Sequence, residues 1–434
     1  MTAAQFDNIG GIMKRLTSFL IISILLFVVI LSVTSCIYEI GINETITSPG
    51  LEYKLNQDGA SYTVTGIDSF TGSDLVIDKY KGLPITNIAD SAIYSKKLTS
   101  VTFGDSVKSI GDNSFSRCTA LAAVTIPGTV KSIGDHAFGD CTSLTSLTIS
   151  NGVESIGNYA FSNCSSLTSV TIPDSVEGVG DGWFYGCTAL ESVIIPDSIV
   201  SIGASAFHDC ASLASVTIPE GVISIGDSAF RGCTTLASIT ISDSVTSIGS
   251  FAFQDCSGLS SATIGSGVTD IGICIFSGCT SLTTVTIPDG VTRISKALFY
   301  NCSALTSVTI GKDVTHIEES AFDGCASLNS VTIPDTVTHI GERAFANCTA
   351  LTSIVIPNKV TNIMKSAFLG CTSLTSATIG KGVLGIGQTS FSNCTGLTTI
   401  NYCGTEKQWE AIIKGDDWDA GTENYTIRYD YSDT

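Results

Sequence analysis

The sequence predicts a β-rich repeat solenoid with a cap at each end. Phenylalanine recurs every 23 residues from Phe115 to Phe391, thirteen times without a miss. Leu121 to Leu397 and Cys118 to Cys394 keep the same step. Inside each period, apolar residues alternate as they do in a strand, as at Val124 and Ile126. A period held this long means one small unit stacked on copies of itself. A unit of 23 residues is too short to bury a core alone, so stacking is obligatory.

From the N-terminus, Met13-Lys14-Arg15 precedes an apolar run from Leu16 to Leu31 and then Ser32-Val33-Thr34-Ser35-Cys36. A basic start, an apolar core and a small-residue site make an export signal over residues 1–35. Residues 1–12 lack that character, and Met13 is read as the true start. The ending Val33-Thr34-Ser35-Cys36 resembles the lipobox of bacterial lipoproteins. That resemblance implies cleavage before Cys36 and lipidation of its thiol, with attachment to the membrane through the lipid. The same apolar run also suits an uncleaved anchor. Residues 36–50 read as a tether.

Residues 51–83 read as a β-rich cap. Tyr53-Lys54-Leu55, Ser61 to Val64 and Leu75-Val76-Ile77 are short strands separated by Asp58-Gly59 and Gly72-Ser73. The solenoid is assigned to residues 84–397, with about thirteen full repeats. In the repeat Leu121 to Ser143 the inward set is Leu121, Val124, Ile126, Val130, Ile133, Phe138 and Cys141. Pro127 ends the strand, since a ring without an N–H suits a strand end. Val130 and Ile133 open a second extended face, and Gly134-Asp135 turns the chain. Residues 398–434 are dense in aromatics and read as a second cap.

This unit, as in Leu282 to Cys302, follows L-x-x-[VI]-x-[IL]-P-x-x-[VI]-x-x-I-G-x-x-A-F-x-x-C, with Ser295 there in place of the Gly and Leu298 in place of the Ala. It resembles the leucine-rich repeats of BspA-like, Treponema-type surface proteins. The resemblance implies a curved right-handed coil, a place on the bacterial cell surface and an adhesive or host-binding role. It implies no catalytic residues and no cofactor. Local departures include Trp183 for the Ala before Phe, and Val179 for Ile.

Net charge is −19, with charged residues only 14% of the chain. Few scattered cations exclude a nucleic-acid partner, whose phosphates need Lys and Arg. Thirteen of the sixteen cysteines share one column, roughly 5 Å from the next by strand spacing, and read as buried reduced thiols. Cys274 and Cys403 stand outside that column.

Two surfaces are candidates for binding. If Val124 and Ile126 point inward, their neighbours point out. The outward pairs are Ser146 and Thr148, Ser169 and Thr171, Ser215 and Thr217, Ser238 and Thr240, and Ser261 and Thr263. They continue as Thr284 and Thr286, Ser307 and Thr309, Ser330 and Thr332, and Ser376 and Thr378. Hydroxyls donate and accept, so this strip suits a glycan or an extended peptide. Thr also simply suits strands. The competing surface is the turns, where Trp183, Tyr185, His208, Arg231, Phe251 and Tyr300 interrupt small residues.

Chemistry is not expected. His208-Asp209-Cys210 imitates a thiol nucleophile, but Cys210 belongs to the buried column. His316 and His339 share a column without a third ligand, and Asp416, Asp417 and Asp419 lack the spacing of an EF-hand, so no metal is assigned. The expected protein is a monomeric, lipid-anchored adhesin for an extracellular protein or glycan. The alternative is a surface spacer with no specific ligand.

Overall fold

The computed structural model describes residues 48–422 and 424–432. The predicted signal segment, residues 1–35, and Cys36 lie outside the described residues. The chain winds into a β-solenoid of about 16 turns. Each turn has three sides, and each side is bonded to the turns before and after it.

The first side is the strand that the alternation predicts. Ala123–Ile126 reads exposed, buried, exposed, buried, with Val124 and Ile126 in the core. It pairs in parallel with Ser146–Ile149, each residue facing its equivalent one period away. The second side is shorter, as in Ser132–Ile133, which pairs in parallel with Ser155–Ile156. The third side is the turn from Asp135 to Cys141. Here the backbone bonds run the opposite way along the coil. His136, Phe138 and Asp140 donate their N–H groups to Asn158, Ala160 and Ser162 of the following turn, at 2.8–2.9 Å. On the sheets, Ser150 and Gly157 donate back to Ile126 and Ile133.

That reversal needs left-handed backbone two residues before and two residues after each Phe. His136 has φ 51° and Asp140 φ 59°. The second of these positions precedes the Cys and is filled mostly by Asn, Asp or Gly, the residues that tolerate this region. From Asn163 onward Asn or Asp alternates with Gly, turn by turn. The reason is steric: a Cβ on Gly186, Gly232, Gly278 or Gly324 would overlap the side-chain oxygen of Asn163, Asp209, Asp255 or Asn301 in the turn before.

The phenylalanines form one continuous stack. Neighbouring rings from Phe115 to Phe391 lie 5.0–5.8 Å apart with planes within 19° of parallel. An edge-on aromatic closes each end: Phe103 at 5.7 Å and Trp418 at 6.1 Å. The column cysteines are free, buried thiols. Each points its Sγ at a backbone oxygen of the previous turn, at 3.0–3.7 Å. Twelve of these acceptors are the carbonyls of Phe115 through Phe368. A small apolar side chain with one weak donor is what that buried carbonyl requires.

The ends reuse the same bonds with different residues. At the N-terminal end Leu51–Leu55 pairs antiparallel with Tyr62–Ile67, which then pairs in parallel with Leu83–Ile88. Tyr53 stacks on Tyr80 at 3.9 Å over this hairpin. Asp74–Ile77 already pairs in register with Ser100–Phe103, so the coil begins inside the segment read as a cap. At the other end Thr399–Tyr402 and Thr426–Arg428 extend the long-strand sheet. Between them Thr405 and Gln408 form a reciprocal capping box on the helix Glu406–Glu410, which buries Trp409. Phe391 donates its N–H to Trp418, and its carbonyl accepts the Thr422 hydroxyl at 2.7 Å, where an inner turn would offer a thiol.

Candidate binding surface

The strand side presents the predicted hydroxyl strip. Ser146, Thr148, Ser169, Thr171, Ser238, Thr240, Ser261 and Thr263 are all exposed, as are Thr284, Thr286, Ser307, Thr309, Ser330 and Thr332. Pairing sets Ser238, Ser261, Thr284, Ser307 and Ser330 in one line, with Thr240 beside Thr263 and Thr286 beside Thr309. The repeat distance is about 4.8 Å. Ser215 and Thr217 are exposed too, but only an isolated bridge from Ser192 to Ser215 continues the ladder there. Ile194, 63% exposed, and Val355 take the Thr position in their turns and break the polar line.

Two adjacent columns of hydroxyls have different fates. The column that follows each Leu spends its hydroxyls on the coil. Thr145, Ser260, Thr283, Thr306, Thr375 and Thr398 donate to the carbonyl one turn back, at 2.9–3.2 Å. The strip hydroxyls of Thr148, Thr171, Thr240, Thr263, Thr286 and Thr309 have no protein partner. They are unspent donors and acceptors at regular spacing.

Thr378 is a correction to the strip: it is buried, and Ser376 is half-buried. The next turn carries Asn401, whose Nδ2 lies 3.5 Å from the Thr378 hydroxyl, and the C-terminal segment packs over that end. Usable surface ends before that last pair.

The turn side requires a second correction. Trp183 is buried, 2% exposed, and offers no contact to a ligand. It occupies the inward Ala column before Phe184, where its ring packs edge-on at 6.4 Å. The bare Gly180 leaves room, since a Cβ there would overlap the indole nitrogen. The other turn candidates stay at the surface. Tyr185, His208, Arg231 and Tyr300 share the column after Phe, and Phe251 stands two residues before Phe253. Tyr185 meets the His208 ring at 5.0 Å, and Arg231 lies 3.9 Å from Asp255.

Cys210 aims its sulfur at the Phe184 carbonyl, 3.2 Å away, and burial holds its thiol well above the ordinary range. Burial pushes Cys256 and Cys302 up to about 12. His208 lies 3.7 Å from Asp209, and partial burial lowers its pKa, with Asp209 opposing. His316 and His339 stand 5.8 Å apart, and His316 is engaged with the Thr315 hydroxyl at 2.8 Å. Among the described residues no three His, Cys, Asp or Glu side chains gather as a metal site. None of the described helices is long and apolar enough to cross a membrane.

Comparison with known proteins agrees with this architecture. The family model described as "BspA type Leucine rich repeat region" matches residues 86–214, 200–329 and 292–411. A leucine-rich repeat protein from Bacteroides ovatus is 30% identical with a TM-score of 0.77, over 89% of this chain and 100% of its own. A leucine rich cell surface protein from Faecalibacterium prausnitzii is 30% identical with a TM-score of 0.48, over 85% of this chain and 97% of its own. The leucine rich repeat protein of T. pallidum is 28% identical with a TM-score of 0.35, over 54% of this chain and 88% of its own. No curated protein sequence matches the chain. With the repeat, the family model's match over most of the chain and the Bacteroides ovatus structure in agreement, the chain belongs to the BspA-type leucine-rich-repeat family.

Proposed function

We propose that this is a lipid-anchored bacterial surface protein that binds extracellular proteins or glycans along the outside of its solenoid. The observation that carries the reading is the strip of unspent, uncharged hydroxyls on the strand side. Every inward column is committed to packing or to bonds between turns, and the neighbouring Thr145 column is committed as well. On the long-strand side the strip repeats its polar groups without using them; the short-strand hydroxyls of Ser132, Ser155, Ser201, Ser224 and Ser247 are also unpartnered but stand mostly half-buried. Many weak contacts at fixed spacing add up to useful avidity for a repeating ligand. The export-signal pattern ending at Cys36 supports the surface address, and lipidation there would supply the attachment.

The test uses intact cells producing the full chain. Protease shaving and antibody labelling are expected to find it outside, and Cys36→Ala is expected to abolish incorporation of labelled fatty acid into the chain. Adhesion to immobilised matrix proteins and glycans is expected to fall when Thr240, Thr263 and Thr286 become Ala together. A chain confined to the cytosol, or adhesion equal to that of cells lacking it, would overturn the proposal.

A further inference from the structure

One stretch of the turn side departs from the repeat in several columns at once, and the departures meet. Elsewhere the column two residues before Phe holds mostly small residues; here it holds His136 and Tyr159. Their rings stack at 5.1 Å with planes 9° apart, forming a flat platform across two turns. Tyr159 leans over the next turn because Gly182 has no side chain there; a Cβ would overlap the ring.

The column before Cys departs as well. Asx–Gly alternation starts only at Asn163, and the preceding turns carry Arg117 and Asp140 in succession. Those three form a polar rail. Asn163 donates to Asp140 at 2.9 Å, and Arg117 lies 3.6 Å from the same carboxylate.

Between platform and rail runs an open groove of about 620 Å³. Ser116 and Ser162, of the column after Phe, line its floor, and that column carries Gly139 between them. A Cβ on Gly139 would sit 3.3 Å from both the His136 carbonyl and the Ser162 hydroxyl, so the column stays small there. Tyr94, 58% exposed, stands at one end and Tyr185 at the other, four turns away, about 20 Å at strand spacing.

We infer that this groove is a binding site for a neutral oligosaccharide. It deepens the proposed binding role and rests on it. Aromatic faces suit the C–H face of a pyranose, and the carboxylate, amide and guanidinium suit its hydroxyls. One turn of the coil rises by nearly the length of one sugar unit. Arg117 and Asp140 offset each other, so the groove does not select a charged ligand. A peptide adding as a strand would need free backbone, yet Arg117, Phe138 and Asp140 already spend their N–H groups on the next turn.

The test is an array of neutral oligosaccharides probed with the purified full chain, followed by calorimetry on the best binder. Tyr159→Ala and Tyr94→Ala are expected to weaken that binding about tenfold or more each, while Tyr159→Phe keeps it. Ser116→Tyr is expected to block it without unfolding, because the same column already takes Tyr185 and Tyr300. A wild-type chain that binds no neutral glycan would overturn the inference. So would a binder indifferent to Ser116→Tyr and Tyr94→Ala, or a peptide occupying the groove instead. Adhesion that survives Ser116→Tyr but is lost with the strip substitutions would sink the groove alone. Adhesion unaffected by deleting the whole protein would sink the binding role itself.

Discussion

The strand side and the turn side are built from the same repeat and age differently under it. On the strand side, turn after turn presents the same Ser-x-Thr pair, and little departs from it except Ile194 and Val355. On the turn side, the column after Phe changes from Ser116 to Tyr185, His208, Arg231 and Tyr300. Geometry accounts for the difference. A strand position is set by alternation, and any residue there must suit a pleated, parallel neighbour. At the turn the side chains after Phe project from backbone whose own bonds already join the turns, so their identity costs the coil little. One side offers avidity for something repetitive, and the other offers room for a local, shaped site.

Four substitutions sharpen that contrast. Phe253→Ala removes a ring stacked on both sides, at 5.4 and 5.7 Å, and is expected to cost about 3–5 kcal/mol. Chemical denaturation will read it, together with loss of a single cooperative transition, because each turn is held mainly by its neighbours. Gly324→Ala tests the turn side's alternation. At φ 79°, and with Asn301 folded over it, an added methyl is expected to cost more than about 1 kcal/mol in the same measurement. Asn301→Ala alongside should recover part of that loss.

The third concerns pH. Partial burial, with help from Arg293, lowers the His316 pKa below 6.5, and Glu318 opposes the shift. The folded state therefore binds this proton less readily than the unfolded chain does. Stability is full above the unfolded value and declines as pH falls through about 6.5 toward the lower folded value. His316→Gln is expected to flatten that part of the stability–pH curve and leave the neutral side unchanged. The fourth and smallest is the triple Thr240→Ala, Thr263→Ala, Thr286→Ala, expected to move stability by about 0.5 kcal/mol or less per site.

The core columns were legible because side chains that point inward must repeat whenever the coil does. Leu121, Val124, Phe138 and Cys141 announce themselves by spacing alone. The strip was legible for a related reason, since period-2 alternation fixes which residues face out. Trp183 was misplaced although its signal was present: it stands in the Ala position before Phe, an inward column. Other features leave no mark in one period. The thiol-to-carbonyl bonds join residues of different turns. The Asx–Gly alternation repeats only every second turn. At the C-terminal end Trp418 and Thr422 take over the bonds of a Phe-column neighbour and a Cys without matching the repeat motif. The groove between Tyr94 and Tyr185 draws residues from three columns over several turns, so no window of sequence contains it.

Central to this account is the energetic separation of a shared spine from an outer strip that the coil does not need. Hydrogen exchange at the turn-side amides of Phe230, Phe253 and Phe276, each donating to the next turn, measures that separation in the triple-Thr variant. Unchanged protection at all three is the predicted result. Faster exchange there would mean that the strip hydroxyls help hold the coil together, and the account would be wrong.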